Sequence, residues 1–331
     1  MPPRPVVLLT NPIHPEPAAS IAAVAEVRVA AATDPASLVA AGRDADVVIV
    51  RSPLPPELFA LATRLRGAIR HGAGVDMIPV EEASRHGIAV ANAPGTNAVS
   101  VAEFALGQML ALSHRLTRID STMRRQGWSV ARQLSDGALE LAGRTVGVLG
   151  VGAIGEELAR MCHFGLRMRV VGYRPSARPM PEFVHAASVD ELFSSADVVV
   201  LCCPLNDTTR GLVGERLMGR MKPGAFLVNV SRGAVMDEAA LIAALRDDRI
   251  AGAALDVFAV QPLTPDSPLL QFENVIVSSH LAGITQDSMK RMGECVARQT
   301  LELLDGRLPT HFVNPEARSQ VLARLEALGR T

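Results

Sequence analysis

Short apolar runs alternate with stretches of helical spacing along most of the chain. The runs 6–10, 25–30, 46–51, 67–71 and 88–93 predict five strands in the first third. Helical patterns near 34–44, 55–66 and 79–87 separate most of them. A second series of strands is predicted at 145–149, 169–173, 197–203, 225–231, 252–258 and 274–280. Two longer helical segments, roughly 99–125 and 285–306, bracket that series. Strands that alternate with helices in this way predict parallel sheets covered by helices on both faces. Two groups of strands give an α/β fold of two doubly wound domains. The first is expected at 1–98 plus 285–331, a discontinuous domain, and the second at 99–284.

One turn in the second series points to a ligand. Gly150, Gly152 and Gly155 stand in the order G-x-G-x-x-G directly after the apolar run 145–149. Ile154, Leu158, Met161 and Gly165 then fall at helical spacing. Strand, glycine turn and helix together make a dinucleotide-binding turn: tight bend, close backbone approach to a pyrophosphate, and close helix–strand packing. The unpaired N–H groups of the helix N-terminus face the phosphates. A bare glycine turn without a ligand is the plain alternative, and the strand and helix on either side weigh against it. The next predicted strand ends at Arg174, where NAD-binding turns carry a carboxylate for the ribose 2′-hydroxyl. Ser176 and Arg178 follow. A guanidinium repels no 2′-phosphate and can hold one through two parallel hydrogen bonds. NADP(H) is therefore favoured over NAD(H), the alternative being that Arg174 is one more surface arginine.

In open parallel sheets, ligands bind beyond the carboxyl ends of the strands. Three polar residues occupy such positions in the second series. Arg232 follows the run 225–231, Gln261 lies just past 252–258, and His280 ends 274–280. A 2-oxo acid needs a cation to hold its carboxylate and polarise its carbonyl, which suits arginine's fixed fork. It also needs an acid to protonate the developing alkoxide, and histidine titrates near neutrality. Each residue alone has a structural explanation, a carbonyl cap or a core histidine; three on one nucleotide-binding sheet point to chemistry. In the first domain Arg51, Ser52 and His71 end strands and are expected on the side of the substrate.

Composition adds exclusions. The net charge of −1 supplies no field to draw the protein to nucleic acid or anionic lipid. Basic residues are almost all arginine, with Lys222 and Lys290 the only lysines, and they are spread along the whole chain. No stretch approaches the length of a membrane span, and the first apolar run is too short for a signal peptide. Cys162, Cys202, Cys203 and Cys295 show no metal-ligand spacing and read as reduced core thiols of a cytoplasmic protein. The partner expected is a small-molecule substrate, with no nucleic acid, membrane or metal.

Several segments together resemble the D-isomer-specific 2-hydroxyacid dehydrogenases, the family of phosphoglycerate dehydrogenases and glyoxylate/hydroxypyruvate reductases. They are His71-Gly-Ala-Gly-Val-Asp76, Asn97-Ala-Val-Ser-Val-Ala-Glu103, the glycine turn, Cys203-Pro-Leu-Asn-Asp-Thr-Thr209, Asn229-Val-Ser-Arg-Gly233, Leu255-Asp-Val-Phe258 and His280-Leu-Ala-Gly283. The resemblance implies a flavodoxin-like substrate domain and a Rossmann cofactor domain with the active site in the cleft. It also implies a homodimer built through the cofactor domain. It gives Arg232 the role of substrate clamp and His280 that of acid/base, with the Gly74–Val75 backbone on the substrate carboxylate. Ala153, Ile154, Cys203, Pro204, Thr209, Val230, Ser231, Asp256 and Gly283 fall on the cofactor's side, with Arg232 and His280.

One position departs from the family. Its usual catalytic glutamate before a proline reads Gln261-Pro262 here. Formate dehydrogenases, a branch of the same superfamily, carry glutamine there and form the rival reading. Against it stand Leu281-Ala282-Gly283 after the histidine and Arg174 at the cofactor strand. A nucleotide-sensing interaction protein of the corepressor type is the other alternative. The favoured reading is a 2-oxo acid reductase with an altered proton relay at Gln261.

Overall fold

The structure is a computed structural model and describes residues 4–329. Positions 1–3 and 330–331, at the ends of the range expected for the first domain, lie outside the described residues. The chain divides into two compact units, one running to Asn97 and resuming at Ile284, the other Ala98–Gly283.

The first unit follows a strict strand–helix alternation: β1 (Val6–Leu9), α1 (Pro15–Ala22), β2 (Glu26–Val29), α2 (Pro35–Gly42), β3 (Val47–Val50), α3 (Glu57–Leu61), β4 (Gly67–Arg70), α4 (Val80–Arg85) and β5 (Ala89–Ala91). All its strand pairs are parallel, in the order β2-β1-β3-β4-β5. This is the flavodoxin-like winding, whose order reverses between β1 and β3. One face buries Val6, Leu8, Val48 and Val50 with Leu38, Leu58 and Phe59. The other buries Val7, Leu9, Ile49 and Ile69 against Met292, Val296 and Leu303.

The second unit begins with α5 (Ala98–Ser113), α6 (Leu116–Gln126) and α7 (Trp128–Gln133). The Rossmann core follows: β6 (Thr145–Leu149), α8 (Ala153–Arg160), β7 (Arg169–Tyr173), β8 (Val184–Ala186), α9 (Val189–Ser195), β9 (Val198–Leu201), α10 (Glu215–Met218), β10 (Phe226–Asn229), α11 (Glu238–Arg246), β11 (Gly252–Leu255) and β12 (Val275–Val277). The chain then returns to the first unit with α12 (Gln286–Leu304) and α13 (Arg318–Gly329). The second sheet is parallel, in the order β12-β11-β10-β9-β6-β7-β8. Alternate residues supply its two faces. Val146, Val148 and Val200 join one core, and Leu149, Val199 and Leu201 the other. The expected α/β class with two doubly wound parallel sheets is what the chain forms.

Both sheets use one device at the foot of their first strand. The buried Asp46 accepts the Val6 N–H at 2.8 Å, and Asp197 accepts the Thr145 N–H at 2.7 Å. Two differences from the sequence expectation are physical. The long helix expected at 99–125 is two helices, because Arg115 takes a left-handed φ of 57° between them. The helix after the glycine turn ends at Arg160 and passes into a π turn, Met161–Gly165. Strand β8, three residues long, and α13 carried too little pattern to be foreseen. Among the described residues no helix is long and apolar enough to cross a membrane.

Candidate active site

The sheet order puts the carboxyl ends of β12, β11 and β10 side by side, with those of β9 and β6 next in line. Parallel strands bring their following loops to one rim, which is where this unit concentrates its polar residues.

At β6 the turn is built from glycines with distinct burdens. Gly150 has a φ of 104°, and a Cβ there would lie 2.5 Å from the Cys203 backbone nitrogen. At Gly155 a Cβ would fall 2.2 Å from the Gly150 carbonyl oxygen. Gly152 differs: a Cβ there would meet nothing within 4 Å, and no side chain caps α8, which starts at Ala153 and Ile154. An open space over a bare helix N-terminus is a cradle for a phosphate group, so these residues fit the pyrophosphate of a dinucleotide.

Arg174, just past β7, donates from one guanidinium nitrogen to the Val151 carbonyl at 3.0 Å and from another to the Pro179 carbonyl. It therefore lies against the glycine turn. Its Nε is buried without a hydrogen-bond partner. Ser176 is exposed, and Arg178 pairs with Glu156 of α8 at 3.0 Å. After β9, Cys203 is buried and Pro204 opens a turn in which Thr209 donates to the Pro204 carbonyl at 2.7 Å. The cysteines are all free, and burial pushes the Cys162 thiol up to about 12 and Cys203 to about 11. Thiols so shifted stay protonated and unreactive.

The turn after β10 is held by Asn229, fully buried in its strand. Asn229 accepts the Ser231 N–H at 3.0 Å and its hydroxyl at 2.9 Å, and donates to the Arg232 carbonyl at 3.2 Å. Val230 and Ser231 are buried, while Arg232 is half-buried with one nitrogen on the Ser231 carbonyl. A Cβ at Gly233 would fall 1.9 Å from the Phe258 carbonyl oxygen. That close approach sets the Arg232 turn against the segment leading to Gln261.

Asp256, buried at the end of β11, organises the neighbouring loop. One carboxylate oxygen accepts the Ser278 hydroxyl at 2.7 Å and the Leu281 N–H at 2.9 Å. The other accepts the Ala282 N–H at 2.9 Å, and the Asp256 carbonyl takes the His280 N–H at 2.8 Å. His280 can hold a left-handed φ of 57° because this net fixes its backbone on both sides. Its Nδ1 lies 3.1 Å from Oε1 of Gln261. The pair borders a cavity of about 700 Å³ whose other walls include Phe258, Pro262, Leu263 and Val277. Gly283 closes the segment, half-buried.

The remaining candidates belong to the first unit, so the set is divided between the two units. Thr10 and Asn11, at the end of β1, receive the end of β3. Thr10 Oγ1 accepts the Arg51 N–H at 2.8 Å and the Ser52 N–H at 3.1 Å, and Ser52 donates to Asn11 at 2.7 Å. The Arg51 guanidinium donates to the Pro12 carbonyl. Burial lowers its pKa. His71, past β4, is 3% exposed, and neither ring nitrogen has a hydrogen-bond partner. Burial first, then the Arg51 and Arg70 charges, hold its pKa down to about 4. Gly74 and Val75 follow on half-buried coil.

Sequence reasoning missed Asn229, Ser278, Thr10 and Asn11, and the anchoring role of Asp256. A polar residue inside an apolar strand run was the available signal for Asn229, since buried polar groups are hydrogen-bonded.

Fold and site define a dinucleotide-binding α/β protein with polar strand ends beside its glycine turn. Residues 106–282 match the model of the D-isomer specific 2-hydroxyacid dehydrogenase NAD binding domain. The chain belongs to that family. A D-3-phosphoglycerate dehydrogenase of Methanocaldococcus jannaschii is 36% identical over 97% of this chain and 62% of its own length. A glyoxylate reductase of Korarchaeum cryptofilum is 37% identical over 82% of this chain and 83% of its own. The chain thus spans about three fifths of the length of that phosphoglycerate dehydrogenase. Among solved structures, the NADPH-dependent glyoxylate/hydroxypyruvate reductase of Sinorhizobium meliloti in complex with NADP and malonate superimposes with a TM-score of 0.82. It is 28% identical, with 94% of this chain and 97% of that one covered.

Proposed function

We propose that the protein is an oxidoreductase that transfers a hydride between a nicotinamide cofactor, NADPH in preference to NADH, and a small 2-oxo acid or D-2-hydroxy acid. The observation that carries this reading is the placement of Arg232, Gln261 and His280 after three adjacent parallel strands of the sheet that bears the glycine turn. The bound nicotinamide supplies or accepts the hydride. Arg232 holds the substrate carboxylate and polarises its carbonyl, and His280 gives a proton to the oxygen on reduction or takes one on oxidation. The open helix end at Gly152 receives the pyrophosphate, Arg174 the 2′-phosphate, and Asp256 keeps His280 in place.

The protein works as a homodimer in the cytoplasm on this reading. Four free cysteines suit a reducing compartment. Leu116, Met123, Trp128 and Val130 are each at least 40% exposed on α6 and α7, an apolar face that a second copy would cover. The deciding experiment is a panel of glyoxylate, hydroxypyruvate, pyruvate, phenylpyruvate and formate, each assayed with NADPH and NADH. Reduction of at least one 2-oxo acid is expected. Turnover of none, or oxidation of formate alone, would overturn the reading.

A further inference from the structure

A cavity of about 1090 Å³ lies at the opposite end of the second sheet, where β6 and β7 begin. Thr145 and Arg169, the first residues of those strands, line it together with the edge strand β8. Every lining residue belongs to the second unit. The glycine turn follows Leu149 at the far end of β6, so roughly 15 Å of strand separates the two places.

The walls of this cavity combine groups of different chemistry. One part is aromatic. Helix α8 gives way to the π turn Met161–Gly165, a widened turn of a kind that recurs at functional sites. That turn carries His163, whose ring stacks on Phe183 with centroids 5.5 Å apart at 27°. Phe164 meets both rings edge-on and is itself 65% exposed. Two of the chain's nine phenylalanines and a histidine thus gather at one half-open place. Another part is cationic. Arg167 and Arg169 flank the buried Met168, both are exposed, and both line the cavity. Neither guanidinium has an acceptor among the described residues. Glu182, exposed beside Phe183, lines the cavity with a carboxylate that is likewise unpartnered among the described residues. The other charged groups of the wall have partners: Lys222 donates to Asp197 at 3.0 Å, and His185 stands 3.5 Å from Glu191.

We propose that this cavity is a second nucleotide site, which takes a mononucleotide apart from the cofactor turn. A flat base stacks against the Phe183 and His163 rings, as bases do on aromatic side chains. The phosphate takes charge-assisted hydrogen bonds from Arg167 and Arg169, whose forks match its oxygens. Glu182 accepts from the ribose hydroxyls, the part an acidic side chain plays toward ribose in dinucleotide folds. A bare inorganic anion would use the arginines alone and would be repelled by Glu182. An uncharged aromatic ligand would leave both guanidinia unanswered. A nucleoside phosphate is the chemistry that engages ring, carboxylate and cations together.

The test is calorimetric titration with AMP, with NADPH present at saturation to fill the glycine turn, and with inorganic phosphate as the control probe. One AMP per chain is expected, bound more tightly than phosphate. Arg167→Glu combined with Arg169→Glu changes two exposed positions, so thermal melts should show the fold intact. That variant should weaken AMP by about a hundredfold. Phe183→Leu should weaken AMP by about tenfold and leave phosphate unaffected. Gly152→Ala, which obstructs the cofactor turn, should leave AMP binding unchanged. No binding of AMP, or binding no tighter than that of phosphate, would overturn the proposal, as would an AMP affinity unmoved by either cavity variant. AMP binding that survives the double arginine change but falls with Gly152→Ala would place the nucleotide in the cofactor turn and overturn it as well.

Discussion

Arg174 and Arg232 carry the same guanidinium, and the proposed function puts it to different ends. Arg174 leans on the Val151 and Pro179 carbonyls beside the glycine turn, bonds it can exchange for a phosphate. NADPH should therefore support a higher kcat/KM than NADH, and Arg174→Asp should swing the ratio by roughly a hundredfold, a few kcal/mol. Equal efficiency with both cofactors in the wild type would sink that role. In the proposed role of substrate clamp, Arg232 uses the two-pronged geometry of its fork, which lysine lacks. Arg232→Lys should lower kcat and raise KM together, roughly a hundredfold in kcat/KM, with cofactor affinity unchanged in a binding titration. Near-normal turnover would make it a carbonyl cap. His71 offers a pH test that needs no substrate. Its folded pKa of about 4 lies below the ordinary 6.5, so the unfolded chain binds the extra proton first. The stability tied to its neutral form is complete above the unfolded value and is lost as pH falls toward about 4. At most this amounts to roughly 3 kcal/mol. Denaturation midpoints across that window should fall more steeply in the wild type than in His71→Phe, and parallel curves would count against it.

At the scale of elements, the glycine turn separates two kinds of requirement. A methyl at Gly155 would strike the Gly150 carbonyl, while one at Gly152 meets no protein atom. Gly155→Ala should cost more than about 2 kcal/mol of stability, as overpacking does. Gly152→Ala should cost under about 1 kcal/mol yet weaken cofactor binding by at least tenfold, because it fills the space left for phosphate. Thermal melts paired with cofactor titrations check both, and unchanged affinity in Gly152→Ala would move the phosphate elsewhere. The strand pattern and the strand-end positions were legible because parallel strands buried on both faces are runs of Val, Leu, Ile and Ala that stop at polar residues. The break at Arg115 was not, since it contains neither glycine nor proline and the left-handed turn is imposed by its surroundings. Nor were the nets around Asn229 and Asp256. Those depend on backbone groups that meet only after the loops have folded, and no spacing along the chain announces them.

On the scale of the whole molecule, the sole tryptophan offers a test of the proposed dimer. Trp128 is 67% exposed on α7, beside exposed Val130. Sedimentation should give twice the 35.1 kDa chain mass, and Trp128→Asp should shift the population toward monomer. A wild type that sediments as a monomer at micromolar concentration would refute the dimer. The path of the chain through its two units has a further effect. All five strands of the first sheet lie before Asn97, but one of its faces is covered by Met292, Val296, Leu303, Val321 and Leu325 from the far end. Asn314 completes that join, accepting the Val90 N–H at 2.9 Å and donating to the Ile88 carbonyl at 3.1 Å. On a ribosome the whole of Ala98–Gly283 emerges between the sheet and its cover. Until the covering helices follow, the nascent chain carries an uncovered apolar sheet while Ala98–Gly283 is made, an invitation to aggregation or to a chaperone. The continuous unit can close as soon as it has emerged, so of the two units the one that starts earlier in this sequence is the later to complete its core.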